Sequence, residues 1–125
     1  MSGEAILIVD DNVVNLKLLR VALTVSRYEV RTAIDAEQAL AVLQSFSPRL
    51  ILMDIQLPGM DGLELTRRLK ENSSTKDVIV IAVTAYAMKG DQERMLDAGC
   101  DGYLTKPIDT RALPATMARF LEPTP

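Results

Sequence analysis

The sequence contains no histidine, a single cysteine and no long apolar run. The missing histidine removes Ser-His-Asp and Cys-His catalysis, imidazole ligation of a metal and any role as a phosphohistidine carrier. The lone Cys100 allows neither an intrachain disulfide nor a multi-cysteine metal site, and a buried structural thiol is expected. No apolar stretch approaches the roughly 20 residues that a membrane-crossing helix needs. Met1-Ser2-Gly3-Glu4 lacks the basic-then-apolar order of a secretion signal. A cytoplasmic location without membrane insertion is the expectation. A net charge of −3 without a basic run argues against direct nucleic-acid binding. Neither a Walker A sequence nor G-x-G-x-x-G occurs, so there is no loop to cradle a nucleotide phosphate. Internal repeats, low-complexity segments and interdomain linkers are absent as well.

What is present reads as one domain. The chain has 125 residues, 48% of them hydrophobic and 25% charged, enough for a full core. The expectation is one unit over 1–125, ordered from about residue 4 to 121, with the Glu122-Pro123-Thr124-Pro125 tail fraying. Three runs are continuously apolar: Ala5 to Val9, Leu50 to Met53 and Val78 to Val83. Such runs suit strands covered on both faces, as in a parallel sheet between helical layers. Tyr28 to Ala33 alternates polar and apolar residues and suits an edge strand, and the short, semi-polar Gly102 to Thr105 suits the other edge.

Helical patterns lie between these runs. Val14, Leu18, Val21, Ala22 and Val25 form one stripe, which predicts the buried face of the first helix. Asp35 with Gln38, and Asp61 with Glu64, have capping-box spacing and mark the second and third helix starts. The fourth helix is predicted from about Met88 to Asp97, stopping at Gly99. A fifth, starting near Asp109, has a loose first turn because of Pro114. Alternating β and α units with right-handed crossovers predict an α/β fold: a three-layer, doubly wound, five-stranded parallel sheet of flavodoxin-like order 2-1-3-4-5 with five helices. In such sheets ligands sit at the carboxyl ends of strands 1 and 3.

Those ends carry Asp10, Asp11 and Asp54. Two unit charges 4 Å apart repel by about 4 kcal/mol at an effective dielectric of 20. Either a cation lies among the three or one of them has a raised pKa. Oxygen-only ligands match a hard cation such as Mg²⁺, whose spare positions commonly take phosphate oxygens. Any one of these aspartates alone reads equally well as a helix cap; the trio at adjacent strand ends does not. Thr84 ends the fourth strand, where its hydroxyl is placed to donate to a group on Asp54. Lys106 ends the fifth, and its flexible stem can bring an ammonium to the same place. Pro107 follows, although chain physics alone does not favour a cis bond there.

Asp10-Asp11 after an apolar strand, Met53-Asp54-Ile55-Gln56-Leu57-Pro58-Gly59-Met60-Asp61-Gly62, Thr84-Ala85 and Lys106-Pro107 resemble the receiver domain of two-component response regulators. The likeness spans essentially the whole chain, and Val83 to Met88 and Ala98 to Tyr103 are similar to stand-alone DivK-type regulators and to receivers of hybrid histidine kinases. It implies that Asp54 accepts a phosphoryl group from a phosphohistidine. Asp10, Asp11, Asp54 and the backbone carbonyl of Gln56 would hold Mg²⁺, while Lys106 and Thr84 bind phosphoryl oxygens. The Lys106-Pro107 bond would be cis. Thr84 and Tyr103 would form the conformational switch, a population shift needing about 5.5 kcal/mol to be near complete. Gln56 and Tyr86 would flank the route of hydrolytic water and set the phosphoryl lifetime.

The partners implied are a sensor histidine kinase or a histidine phosphotransfer protein, and a downstream protein target. The expected docking face is helix 4, strand 5 and helix 5, around Ala87, Met88, Tyr103 and Ile108, and Met88 with Met95 reads as core and interface packing. The alternative is a phosphorylation-independent pseudo-receiver, though every motif residue is present. A phosphatase of the haloacid-dehalogenase type would want a second Asp two residues after the nucleophile, where Gln56 stands. No turnover of a separate substrate is expected.

Overall fold

The structure, a computed structural model, describes residues 4–57, 59–85 and 89–122. Strands and helices alternate along the chain: β1 (Ala5–Val9), α1 (Val13–Val25), β2 (Glu29–Ala33), α2 (Ala36–Val42), β3 (Leu50–Asp54), α3 (Gly62–Glu71), β4 (Ile79–Thr84), α4 (Lys89–Ala98), β5 (Gly102–Thr105) and α5 (Leu113–Leu121). The strands form one parallel sheet in the order β2-β1-β3-β4-β5. This is the expected three-layer, doubly wound arrangement. No described helix is long and apolar enough to cross a membrane.

Successive strand side chains point to opposite faces, and the core divides accordingly. Leu7, Val9, Ile51, Met53, Val80 and Ala82 face one layer and pack with Ala39, Leu63, Leu69 and Met95 of α2, α3 and α4. Their neighbours Ile6, Ile8, Leu50, Leu52, Ile81 and Val83 face the other, against Leu16, Leu19 and Leu23 of α1 and Leu113 and Met117 of α5. All three central strands are buried on both sides, which is why they read as unbroken apolar runs. β2 is an edge strand whose exposed and half-buried residues alternate from Glu29 to Thr32. Cys100 is buried in the first of these cores, and burial pushes its thiol pKa up, as expected of a structural cysteine.

Two helix assignments need correction. The stripe Val14, Leu18, Val21 and Val25 is not the buried face of α1; these residues are 50–78% exposed. The buried face is Leu16, Leu19 and Leu23, on the opposite side of the helix. α1 carries two apolar stripes, and helical periodicity accepts either. α5 starts at Leu113 instead of near Asp109, which places Pro114 in the first turn, where its missing N–H leaves no bond unmade. Residues 109–112 form a separate turn, with the Ala112 N–H donating to the Asp109 carbonyl at 3.2 Å.

Caps set the other ends. Asp35 Oδ1 accepts the Gln38 N–H at 2.7 Å, and Asp61 Oδ1 accepts the Glu64 N–H at 2.8 Å, as their spacing predicts. α4 ends in a Schellman arrangement: the Cys100 N–H reaches the Met95 carbonyl, the Gly99 N–H reaches that of Leu96, and Gly99 has φ +104. The predicted start of this helix at Met88 lies outside the described residues.

Candidate active site

Strand register brings the motif residues together. Val9 pairs with Met53, Asp54 with Val83, and Thr84 with Thr105, so Asp10, Asp54, Thr84 and Lys106 all lie at one edge of the sheet. Backbone hydrogen bonds continue past the strand ends and hold these residues: Asp10 N–H to the Ala33 carbonyl at 3.0 Å, Ile55 to Val83 at 3.2 Å, and Lys106 to Thr84 at 2.8 Å.

Carboxylate oxygens of Asp10, Asp11 and Asp54 lie within 4.8 Å of one another. Asp10 and Asp54 are buried, each 2% exposed, whereas Asp11 faces solvent. Lys106 Nζ lies 3.1 Å from Asp54 Oδ2 and 3.9 Å from Asp10 Oδ2. Asp54 Oδ1 accepts the Gln56 N–H at 2.9 Å, and Asp10 Oδ1 accepts the Asn12 N–H at 2.8 Å. The Lys106 ammonium thus faces the two buried carboxylates of the cluster. Burial, followed by the charge of Asp54 and a hydrogen bond shared with it, raises the pKa of Asp10 despite the opposing Asn12 N–H and Lys106. A compact, oxygen-only, anionic pocket of this kind fits a hard divalent cation such as Mg²⁺.

The remaining predicted residues are distributed as follows. Thr84 is buried at the end of β4, beside the Asp54 strand. The Lys106-Pro107 peptide is cis. Tyr103 on β5 is 40% exposed, and Ile108 is half-buried against the α1–α5 core. Gln56 is exposed. Tyr86, Ala87 and Met88 lie outside the described residues.

Sequence reasoning did not anticipate three features. Asn12 caps α1, accepting the Val14 N–H at 3.0 Å and the Asn15 N–H at 3.1 Å, while its own N–H orients Asp10. A cavity of about 340 Å³ opens beside Lys106, lined by Asn15, Leu18, Pro107 and Ile108. It was hidden by the assignment of Leu18 to the core. Gly62 opens α3 directly against the backbone of Asp54 and Ile55. Its signals in the sequence are its place after the capping Asp61 and at the end of the Met53–Gly62 motif, neither of which reveals the close approach.

Comparison with known proteins is consistent along the chain. Residues 6–118 match a family model described as the response regulator receiver domain. The chain is 42% identical over 118 residues to the polar-differentiation response regulator DivK of Brucella anthropi, covering 94% of this chain and 96% of that one. Its fold is similar to that of the chemotaxis response regulator CheY4 of Vibrio cholerae, with a TM-score of 0.90, 28% identity and coverage of 96% and 100%. It is also similar to the receiver domain of a Pseudomonas aeruginosa sensor histidine kinase, with a TM-score of 0.84, 36% identity and coverage of 94% and 97%. That structure has a magnesium ion coordinated in its active site cleft.

Proposed function

The chain belongs to the response regulator receiver family, and from that premise we propose that Asp54 is its phosphoryl acceptor in a two-component phosphorelay. An Asp54 carboxylate oxygen attacks the phosphorus of a phosphohistidine on a partner protein. A P–O bond forms, the P–N bond breaks, and the imidazole leaves and takes up a proton. Since the chain has no histidine, the phosphoryl group comes from outside it. Such transfers depend mainly on positioning and charge neutralisation.

The observation that carries this reading is the buried Asp54 carboxylate, 3.1 Å from the Lys106 ammonium and beside two further carboxylates. Asp10, Asp11, Asp54 and the Gln56 carbonyl would hold Mg²⁺, which when bound neutralises the acidic cluster and the incoming phosphoryl oxygens. Lys106 neutralises another phosphoryl oxygen, and the Thr84 hydroxyl donates to a third. Movement of Thr84 towards the phosphoryl group opens space into which Tyr103 turns from its exposed position. The surface around Tyr103 and Ile108, with Ala87 and Met88, then serves a downstream protein or onward phosphotransfer. Gln56 and Tyr86 govern the access of hydrolytic water.

The phosphohistidine donor, a sensor kinase or phosphotransfer protein, docks over α1. Supporting this are the exposed Val14, Leu18 and Val21 on that helix and the cavity leading from Leu18 to Lys106. Contiguous exposed aliphatics of this kind mark interaction surfaces. The chain itself turns over no separate substrate and works as a cytoplasmic switch.

The test is addition of Mg²⁺ and beryllofluoride, a mimic of the aspartyl phosphate, followed by backbone amide NMR. Mg²⁺-dependent shifts at Asp54, Thr84, Tyr103 and Lys106, lost in Asp54→Asn, are expected. A folded protein that does not respond would instead be a phosphorylation-independent interaction module.

A further inference from the structure

We infer that Gly62 is a positioning residue for the Asp54 site: by lacking a side chain it seats the first turn of α3 on the Asp54-Ile55 peptide, and this seat sets the Gln56 carbonyl relative to the Asp54 carboxylate. The inference rests on the reading of Asp54 and Gln56 given above.

Gly62 is the first residue of α3 and is buried. A Cβ built on it would overlap the Asp54 carbonyl oxygen and lie 2.7 Å from Ile55 Cα and 3.0 Å from the Asp54 carbonyl carbon. The obstacle is backbone. At Gly99 and Gly102 the nearest atoms belong instead to the side chains of Lys70 and Phe120. Nor does backbone conformation demand glycine here, since the described glycines of positive φ are Gly59 and Gly99. Close approach is therefore the reason for glycine at this position.

The approach closes a loop. The Gly62 N–H donates to the Ile55 carbonyl at 3.2 Å, so the segment leaving β3 returns at once to its starting point. Thr66 Oγ1, fully buried, donates to the Gly62 carbonyl at 2.7 Å and holds the turn from the other side. Inside that loop the Gln56 N–H donates to Asp54 Oδ1 at 2.9 Å. A methyl on Gly62 must push either α3 or the Asp54-Ile55 peptide away. The loop carrying Gln56 then shifts relative to a carboxylate anchored by Lys106 on the other side. Residues that only orient metal ligands typically change metal affinity about 10–100-fold when replaced.

The experiment is a Mg²⁺ titration of Gly62→Ala and wild type, read by amide shifts, alongside metal-free spectra and thermal unfolding. Gly62→Ala should bind Mg²⁺ at least tenfold more weakly. Its metal-free spectrum should show shifts concentrated at Ile55, Gln56 and Lys106. Gly59→Ala is the comparison: it strains the same loop at φ +76, but its Cβ meets nothing within 4 Å. That variant should lose stability and keep its affinity within about twofold. Wild-type affinity in folded Gly62→Ala overturns the inference, as does an equal loss in both variants. If Gly62→Ala does not fold, Asp61→Ala loosens the same turn without an overlap; at least threefold weaker binding supports the inference and unchanged binding overturns it. Absence of Mg²⁺ binding in the wild type would instead remove the metal site on which the inference rests.

Discussion

Asp10 is buried between a carboxylate and an ammonium, and the unfavourable side of that environment prevails. Its pKa lies above the ordinary 3.8, so the folded protein holds the proton more tightly than the unfolded chain. The contribution of this group to stability is therefore full below that ordinary value and lost as the pH rises through the raised one. Metal-free Asp10→Asn should accordingly unfold at higher urea than the wild type at pH 7. The two midpoints should converge as the pH falls towards the ordinary carboxylate range; coincident midpoints at pH 7 would contradict this. Tyr86, two positions after Thr84 in the sequence, is proposed to bear on lifetime. Its bulk should slow loss of the phosphoryl group from Asp54, so Tyr86→Ala should shorten the half-life. An unchanged half-life would remove Tyr86 from the mechanism.

At the scale of single elements, α1 shows how local and tertiary demands differ. Its C-terminal end is a Schellman turn made with arginine: the Arg27 N–H reaches the Thr24 carbonyl and the Tyr28 N–H that of Leu23, with Arg27 at φ 71. A left-handed conformation disfavours a non-glycine residue by about 1–2 kcal/mol, while glycine gives up about 0.4–1 kcal/mol in the unfolded state. Arg27→Gly should therefore stabilise the protein by about 0.5–1 kcal/mol, readable as a higher urea midpoint with the slope unchanged. A lower midpoint would mean that the Arg27 side chain contributes more than its backbone loses.

For the molecule as a whole, the site lies where surfaces of different chemistry meet. Buried carboxylates and Lys106 form its floor, the cavity at Leu18 and Pro107 one wall, and the exposed aliphatics of α1 the approach. Leu18 is 55% exposed, so Leu18→Asp should alter stability by no more than about 0.5 kcal/mol. If the donor docks over α1, this variant should accept the phosphoryl group from a phosphohistidine protein at least tenfold more slowly. Its response to beryllofluoride should be unchanged, because that mimic needs no docking. Transfer at the wild-type rate would move the donor interface to another face.

Sheet order, strand positions to within a residue at either end, and the three-aspartate pocket were legible in the sequence because each depends on local or periodic information. Strands covered on both faces must be apolar throughout, and parallel crossovers leave few topologies. Aspartates at the ends of adjacent strands then converge whatever the details of packing. The capping pairs Asp35 with Gln38 and Asp61 with Glu64 were equally readable, since a cap lies within one turn of its partner. The buried side of α1 was not readable. Its two stripes satisfy the same period, and only the packing of Leu16, Leu19 and Leu23 against β1, β3 and α5 selects one. The cavity beside Lys106 and the seat of Gly62 on the Asp54 backbone depend on residues far apart in sequence or on atoms of the main chain. Neither leaves a pattern in side-chain order, and both become visible only when the elements are packed together.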